Sequence, residues 1–325
     1  MVKNILITGG AGYIGAHVTE ILLKKNRNVF LIDNLSTGHR KLINSKAKFF
    51  KIDIKNKQKV KKIIEKYKID SIIHLAANLI IGEGQRKPNK YYKNNVLGTK
   101  KLLDACKDTT IKNFIFSSTA AIYKEGQYKV SENSIIKPKS IYGQTKIKAE
   151  KIIKSFAKKN KINYGILRYF NIAGASLSGK IGLINKKSDH LFKNFSIELM
   201  KKNPKLKIYG TDYKTKDGSC IRDFIHVSDI AEIHYLILEK IDKLNISKIL
   251  NCGYNKGTSV IEVAKEFKKQ SSKKVEIIFA KRRNNDLIKI IASNNKLKNF
   301  IKWKPKFNNL RKIVKSCIIW EKKLN

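Results

Sequence analysis

Acidic residues are scarce in this sequence. Only 25 Asp and Glu stand against 70 Lys and Arg in 325 residues, so the formal net charge is +45. Such an excess is typical of proteins that bind nucleic acid or anionic surfaces. Arginine is uncommon, however, and the lysines are spread over most predicted helices, as in 59–68 and 146–159, with no concentrated basic arm. The chain is also rich in Asn and Ile, which A/T-rich codons specify together with Lys. We therefore interpret the charge as compositional bias, with weak, salt-sensitive anion attraction as the alternative.

Cysteine is rare, and the four cysteines stand far apart, at Cys106, Cys220, Cys252 and Cys317. Without a CxxC pair or a Cys/His cluster, we expect neither a metal site nor a disulfide framework. No apolar run approaches the roughly 20 residues that span a bilayer. The chain enters a strand pattern at Val2 and shows no signal-peptide pattern. These absences predict a cytoplasmic protein that has reduced thiols and no membrane association.

Short apolar runs alternate with helical patterns through the first half of the chain. The predicted strands are 5–8, 29–33, 49–52, 71–75, 114–117 and 164–169, and the predicted helices are 12–25, 60–68, 91–107 and 142–159. This alternation predicts an α/β fold with a Rossmann-type doubly wound parallel sheet. After about residue 171 the alternation loosens, although 260–269 still reads as helical. We predict a first domain over 1–172 and a smaller mixed α/β lobe over 173–325, with some of its segments returning to the first domain.

A GxxGxxG turn follows the first strand, with glycines at Gly9, Gly12 and Gly15. Glycines at this spacing permit a tight turn, close backbone approach to a pyrophosphate and close packing of the following helix. Asp33 ends the second strand, where a carboxylate accepts hydrogen bonds from both adenosine ribose hydroxyls and repels a 2′-phosphate. The turn and the acid together predict a bound NAD. Asp53, after the third strand, is a candidate acceptor for the adenine amino group or a turn residue.

Tyr142 and Lys146 lie four residues apart on a predicted helix and therefore share one helix face. A nearby ammonium favours the phenolate and lowers a tyrosine pKa from its usual value of about 10. Tyr142 can then act as a general base. The hydroxyls of Ser117 and Thr119 end the fifth strand, at the same predicted crevice. Small residues at 75–77, ending the fourth strand, leave room for a ligand there.

These motifs resemble the extended short-chain dehydrogenase/reductases and, within them, the UDP-glucose 4-epimerases, over nearly the whole chain. ITGGAGYIG (7–15) and YGQTK (142–146) are typical of the superfamily. RYFN (168–171), RDFIHV (222–227) and RRNND (282–286) narrow the resemblance to the epimerases. The resemblance implies an NAD-dependent isomerase of galactose metabolism that interconverts UDP-galactose and UDP-glucose at C4 through a transient 4-keto sugar.

The resemblance also implies roles for individual residues. Tyr142 would take the proton of the sugar 4-hydroxyl, Lys146 would hold the nicotinamide ribose, and Thr119 would hydrogen-bond the 4-oxygen. The implied cofactor contacts are Gly9, Gly12, Tyr13, Ile14, Gly15, Asp33, Asn34, Asp53, Ile54, Leu75, Ala76, Ala77, Asn94, Ser117, Tyr142, Lys146 and Phe170. The implied substrate contacts are Thr119, Asn171, His190, Tyr209, Arg222, Arg283 and Asp286. Family members are usually homodimers, with helices such as 91–107 and 142–159 at the interface.

Several alternatives stay open at this point. A 4,6-dehydratase needs an acid pair after the strand-5 hydroxyl, where this chain has Ala120 and Ala121. Ile290 stands where a larger tyrosine restricts room for an N-acetyl group in narrower family members, so a UDP-N-acetylglucosamine 4-epimerase or a dual-specificity enzyme is an alternative. A nucleic-acid-binding protein on a Rossmann scaffold is a remote alternative that rests on the charge alone. We predict no specific nucleic-acid partner.

Overall fold

The computed structural model describes residues 3–185, 189–283 and 286–324. Its strands are β1 (Asn4–Thr8), β2 (Asn28–Asp33), β3 (Lys48–Lys51), β4 (Ser71–His74), β5 (Asn113–Thr119), β6 (Lys129–Val130), β7 (Asn163–Tyr169), β8 (Asn171–Ala173), β9 (Lys205–Tyr209), β10 (Ile221–Arg222), β11 (Phe224–His226), β12 (Lys248–Cys252), β13 (Thr258–Ser259), β14 (Glu276–Ala280) and β15 (Lys289–Ala292). Its α-helices are α1 (Tyr13–Lys24), α2 (Lys57–Lys66), α3 (Ile81–Arg86), α4 (Pro88–Tyr91), α5 (Gly98–Cys106), α6 (Ile141–Asn160), α7 (Leu191–Met200), α8 (Val227–Leu244), α9 (Val260–Gln270), α10 (Asn295–Ile301) and α11 (Leu310–Leu324). Short 3-10 turns cover Arg40–Leu42 and Ala120–Ile122.

One sheet contains seven strands in the order β12-β7-β5-β4-β1-β2-β3. The pairs that run from β7 to β3 are all parallel. This confirms the predicted Rossmann-type doubly wound fold. The strand order reverses between β1 and β4, and such a reversal opens a crevice at the carboxyl ends of the strands. Thr8 ends β1 opposite Ile32 on one side and His74 on the other, so three strand ends meet at this point.

The central strands β1, β4 and β5 of this sheet are buried on both faces, as parallel strands covered by helices require. Ile5, Leu6 and Ile7 in β1 are all fully buried, although their side chains alternate between the two faces. On one face, Leu6 belongs to a cluster of buried apolar side chains that includes Ile64 of α2 and Leu102 of α5. The amphipathic patterns of these helices thus supply the cover that the apolar strands need.

The predicted helix over 91–107 is present but not regular. Helices α4 and α5 are joined by a π-helical segment at Tyr92–Leu97, so helical backbone runs from residue 88 to residue 106. Single π-helical turns inside α-helices rotate the following side chains and are frequent at functional sites. This segment contains Asn94, one of the predicted cofactor contacts. Among the residues described, none of the helices is both long enough and apolar enough to cross a bilayer.

The chain divides into two compact units. The first comprises Met1–Ile122, Ile136–Tyr169 and Ala231–Leu250. The second comprises Tyr123–Ile135, Phe170–Ile230 and Asn251–Asn325. We retain the two-domain organisation, with a main boundary near residue 172 and returning segments, as a proposal.

The second unit contains smaller sheets and an aromatic core. Its sheets are β13-β10-β15-β6, β11-β8 and β14-β9. Phe192 and Phe195 of α7 both meet the ring of Phe267 in α9 edge to face, with ring centroids 5.6 Å apart in each pair. Beside them, the Lys193 ammonium and the Glu321 carboxylate form a buried ion pair at 2.7 Å. The structure thus shows mixed α/β elements in this part of the chain.

The burial of β1 generates a stability prediction. Leu6→Ala should lower the free energy of unfolding by about 2–5 kcal/mol, because it leaves a cavity in a fully buried cluster. Leu244→Ala is the matched control, since Leu244 is 44% exposed at the end of α8 and should cost about 0.5 kcal/mol or less. Urea denaturation monitored by circular dichroism measures both. Equal losses from the two variants would contradict the assigned position of β1.

Candidate active site

The glycine turn brings backbone from three segments into contact. Gly9 has φ +71, and its N–H donates to the Ile32 carbonyl at 2.8 Å. A Cβ at Gly9 would lie only 2.8 Å from the Ala76 backbone nitrogen, and a Cβ at Gly15 would collide with the Gly9 carbonyl oxygen. Only glycine fits these two positions. The turn therefore packs β1, β4 and the start of α1 closer together than any side chain would permit.

Helix α1 starts directly after this turn. Its N-cap residue is Gly12, which provides no side-chain cap, and the first helical turn, beginning with Tyr13 and Ile14, contains no acidic residue. The N-terminal N–H groups of a helix and its dipole favour an anion. The turn and the helix start thus form a cradle with the geometry that a pyrophosphate needs.

Asp33 is held firmly at the end of β2. Its Oδ2 accepts the Ala11 N–H at 3.1 Å and its Oδ1 accepts the Leu35 N–H at 2.8 Å. Burial raises the pKa of this carboxyl, while the two backbone donors act in the opposite direction. A Cβ at Gly38 would lie 2.8 Å from both carboxylate oxygens, so a glycine is needed beside the acid. Asp33 therefore presents fixed acceptor atoms at the end of the strand.

Asp53 and Asn34 contact each other beyond the ends of β3 and β2. The Asn34 amide donates to Asp53 Oδ2 at 3.1 Å, and Asp53 Oδ1 accepts the Lys55 N–H at 2.9 Å. The adjacent Ile54 is buried, and its Cδ1 atom would lie 3.0 Å from a Cβ at Gly98. Asp53 can thus stabilise its turn and also bind a ligand, because the hydrogen bond to Lys55 N–H orients its carboxylate.

The π-helical segment is fixed through Asn95, the neighbour of the predicted Asn94. Asn95 Oδ1 accepts the Asn78 N–H at 2.8 Å, and its amide donates to the Asn78 carbonyl at 2.9 Å and to Thr145 Oγ1 at 3.1 Å. Asn94 is partly exposed, and its amide donates weakly to Asn95 Oδ1 at 3.4 Å. Asn95 thus joins the segment after Leu75, Ala76 and Ala77 to α6, and it leaves Asn94 available for a ligand.

His74 is a second polar residue that the motif analysis did not single out. Thr99 Oγ1 donates to the Asn95 carbonyl at 2.7 Å, so it accepts from His74 Nε2 at 3.0 Å. His74 Nδ1 consequently accepts from the Thr8 hydroxyl at 2.7 Å. Burial, with a contribution from the charge of Lys146, lowers the His74 pKa to about 3. A neutral imidazole therefore connects the end of β1 to α5.

The predicted catalytic residues meet at the carboxyl end of β5. The Lys146 ammonium is buried and donates to the Ser117 carbonyl at 2.6 Å. Thr119 Oγ1 accepts the Ala121 N–H at 3.1 Å, and its hydroxyl lies near enough to Tyr142 to lower the pKa of that phenol. Helix α6 begins at a Ser140 cap whose Oγ accepts the Gly143 N–H at 3.1 Å. The structure thus brings Ser117, Thr119, Tyr142 and Lys146 together within the first unit.

The predicted direction of the Tyr142 pKa shift is wrong. Burial raises the pKa of Tyr142 to about 12, and the Thr119 hydrogen bond only partly offsets this. Lys146 has its own pKa lowered to about 7 by burial. Its Nζ lies 5.9 Å from the centre of the Tyr142 ring and donates to the strand instead. Burial thus determines the direction of both pKa shifts, and it disfavours the charged form of each group.

The second unit contains a cavity of about 390 Å³, a size typical of small-molecule sites. Five predicted substrate residues line it, namely Asn171, His190, Tyr209, Arg222 and Arg283. The lining also includes the basic Lys205 and Lys207 and the acidic Asp189 and Glu198, so four basic side chains outnumber two acidic ones. Burial lowers the His190 pKa to about 4, which keeps its imidazole neutral. This combination of cations and apolar side chains suits an anionic ligand with a ring.

Asp286 lies between the two arginines of this cavity. Its Oδ2 accepts from Arg283 Nε at 2.9 Å, and its Oδ1 is 3.6 Å from Arg222 Nη2. The Arg283 guanidinium also lies 5.3 Å from the centre of the Tyr209 ring, which is 37% exposed. Phe170 is also in the second unit, where its N–H donates to the Cys252 carbonyl at 3.2 Å.

Comparison with known proteins identifies the family. The family model described as "NAD dependent epimerase/dehydratase family" matches residues 5–253. The chain belongs to this family. It is 38% identical over 320 residues to a UDP-glucose 4-epimerase of Lactobacillus helveticus, covering 98% of this chain and 97% of that one.

Solved epimerase structures share the fold over the full length. The UDP-Glc/GlcNAc 4-epimerase of Campylobacter jejuni is 40% identical with a TM-score of 0.86, and 99% of each chain is covered. A UDP-glucose 4-epimerase of Brucella ovis, in complex with NAD, is 33% identical with a TM-score of 0.93, and 98% of each chain is covered. The suspected resemblance to UDP-glucose 4-epimerases is thereby confirmed.

The first unit fits the NAD of this epimerase/dehydratase family on its own geometry. The glycine cradle and the α1 N-terminus would hold the diphosphate, Asp33 the adenosine ribose, and Asp53 with Asn34 the adenine side. Lys146 retains N–H groups beyond its bond to Ser117 for the second ribose. The cofactor is NAD, and the assignment of these individual contacts remains our proposal.

The glycine cradle generates a binding prediction. Gly15→Ala should weaken NAD binding at least about tenfold, a loss of about 1.4 kcal/mol, because the added methyl pushes the Gly9 carbonyl out of the turn. Gly82→Ala is the control, since a Cβ there would meet only Arg86 Nη1, at 3.7 Å. Isothermal titration of NAD into cofactor-stripped protein measures both. Unchanged affinity in Gly15→Ala would contradict the cradle.

Proposed function

We propose that this protein interconverts UDP-galactose and UDP-glucose by inverting C4 of the hexose through a transient 4-keto sugar. The observation that carries the proposal is the hydroxyl pair of Tyr142 and Thr119, held beside a buried Lys146 in a family member whose second unit has a basic cavity. The family to which the chain belongs consists of NAD-dependent epimerases and dehydratases. The curated relatives, at 33–38% identity over nearly the whole chain, are named UDP-glucose 4-epimerases.

The proton transfers are assigned to Tyr142 and Thr119. NAD, when bound, supplies the acceptor for the C4 hydride and a positive ring charge that favours a nearby phenolate. The Thr119 hydroxyl lowers the pKa of Tyr142 by hydrogen bonding, which acts in the same direction. Tyr142 then accepts the proton of the sugar 4-hydroxyl and returns it after the keto sugar has turned. Lys146 orients the nicotinamide ribose and favours the phenolate while it is protonated.

The nucleotide is assigned to the cavity of the second unit. Arg222 and Arg283, with Lys205 and Lys207, provide charge for a diphosphate through charge-assisted hydrogen bonds. Tyr209 offers a partly exposed ring for uracil, and Asp286 offers acceptor oxygens for the uridine ribose. His190 and Asn171 complete the lining.

An N-acetylated substrate is the second candidate. Ile290 in β15 pairs with Arg222 in β10, so it lies one strand away from a proposed diphosphate contact. Its side chain is buried and is smaller than a tyrosine. The structural relative from Campylobacter jejuni is named as an epimerase for both UDP-Glc and UDP-GlcNAc. These observations support dual specificity.

We propose a homodimer built on α6 and the π-helical segment. Tyr92 and Leu97 are large apolar residues of that segment and are 41% and 39% exposed. The Lys148 ammonium of α6 lies 5.3 Å from the centre of the Tyr92 ring, which joins the two elements at this surface. We also propose a cytoplasmic location. The four cysteines are all buried and free, as expected in a reducing compartment.

The catalytic assignment is tested with Tyr142→Phe. The purified protein should convert UDP-galactose to UDP-glucose without added NAD, and the variant should lose about 10²–10⁴-fold in kcat because its base is absent. Tyr128→Phe is the control, since Tyr128 is 47% exposed. Chromatography resolves the products. A parallel incubation of the unmodified protein with UDP-N-acetylgalactosamine decides between single and dual specificity. Full activity of Tyr142→Phe would reject the mechanism.

The dimer assignment is tested by Leu97→Glu, which places a charge in the proposed apolar interface. Sedimentation velocity should show a dimer for the unmodified chain and a monomer for this variant. Leu244→Glu introduces the same charge on an exposed apolar residue of α8 and should stay dimeric. If both variants sediment like the unmodified chain, the interface lies elsewhere.

A further inference from the structure

Helix α6 continues the catalytic face by one further turn, to Glu150. Tyr142, Lys146 and Glu150 follow one another at intervals of four residues, which places them along one side of the helix. Glu150 is fully buried and Lys146 nearly so. A buried carboxylate costs several kcal/mol in desolvation unless it is paired and hydrogen-bonded. The hydrogen-bond partners of Glu150 therefore indicate its role.

Each of these three helix residues contacts one of the last three residues of β5. The Thr119 hydroxyl lies near enough to Tyr142 to lower its pKa, and Lys146 donates to the Ser117 carbonyl at 2.6 Å. Ser118 Oγ donates to Glu150 Oε1 at 2.5 Å. The carboxylate is thus the third of three consecutive attachments between α6 and the strand end that carries the reacting hydroxyl.

A second strand holds the same carboxylate. Arg168 of β7 donates to Glu150 from Nε at 3.1 Å and from Nη2 at 2.9 Å. Ser118 and Arg168 are direct partners in the parallel β5–β7 register, so both attachments come from one point of the sheet. Glu150 therefore accepts three hydrogen bonds in a geometry that leaves its side chain little freedom.

Lys146 is the charged residue next to Glu150 on this helix face. The charge of Glu150 raises the Lys146 pKa and partly offsets the burial that lowers it to about 7. Among the described residues, Glu150 is the charge that shifts the Lys146 pKa. His74 is held neutral with a pKa of about 3, burial raises the Tyr142 pKa to about 12, and Arg168 is a cation that pairs with Glu150.

We propose that Glu150, held by Arg168 and Ser118, is a positioning residue of the Tyr142–Lys146 site that presents a fixed negative charge to Lys146 from one helix turn away. This inference rests on the proposed function, in which the charge of Lys146 lowers the pKa of the Tyr142 base and binds the nicotinamide ribose. It also explains why a buried ion pair, which contributes little to stability by itself, occurs directly behind the reacting residues.

The test is Glu150→Gln, which keeps the shape and an acceptor oxygen for Ser118 but removes the charge. A lysine whose pKa falls further loses its proton at lower pH. The alkaline limb of kcat/KM for UDP-galactose should therefore move to lower pH by about one unit or more. Glu321→Gln is the matched control, because it neutralises the other buried ion pair, Lys193–Glu321, in the second unit. It should lower the melting temperature and leave the pH profile in place.

A direct titration separates this inference from the proposed function. The Lys146 side-chain signal of the NAD-loaded, ¹³C-lysine-labelled protein is assigned by its loss in Lys146→Arg and followed against pH. A lower Lys146 pKa in Glu150→Gln supports the inference whatever the substrate proves to be, and an unchanged pKa overturns it. If Glu150→Gln does not fold, the double variant Glu150→Gln/Arg168→Gln leaves no unpaired guanidinium, and its titration decides in the same way. Absence of UDP-galactose turnover in the unmodified chain would overturn only the proposed function.

Discussion

The proposed chemistry depends on keeping one ammonium group charged inside a folded domain. Lys146 is almost fully buried, and burial alone would favour its neutral form. The fold opposes this with a backbone carbonyl at the end of β5 and with a carboxylate one turn further along α6. Both come from regular elements, a strand and a helix, rather than from loops. Such support keeps reacting groups in place, which is the main contribution a protein makes when a cofactor performs the redox chemistry.

Close backbone packing determines the shape of the cofactor crevice. At Gly9 and Gly15 the backbone of one segment lies where a side chain of another would have to be. This close approach brings the ends of β1, β2 and β4 to the start of α1, and it exposes helix N–H groups instead of side chains. The hydrogen bonds of His74 and Asn95 then connect the strand ends to α5 and α6 without adding charge. A dinucleotide needs such a surface, because its diphosphate is recognised mainly by backbone.

Local pattern was sufficient for much of the first unit. The apolar runs in β1, β2, β4 and β7 and the long helix around Tyr142 appear close to their predicted bounds, because a parallel sheet covered on both faces demands nearly continuous apolar strands. In the second half, α8 was not predicted, since its pattern carries no distinctive motif. The π-helical turn was also missed. Within this segment Asn95 is buried and bonded to Asn78 and Thr145, whereas Asn94 is partly exposed.

The sequence alone determined the fold class, the family and the cofactor, and it predicted the reacting side chains, because each depends on residue types at short, fixed spacing. It also named Arg222, Arg283 and Tyr209 by resemblance, but not that they line one cavity with two lysines. Only the tertiary structure decided the electrostatics. The Tyr142 pKa rises instead of falling, and Glu150 is bonded to Ser118 and Arg168 directly behind the predicted site. Desolvation and the pairing of distant residues such as Ser118 and Arg168 depend on how strands and helices pack, which spacing along the chain does not encode.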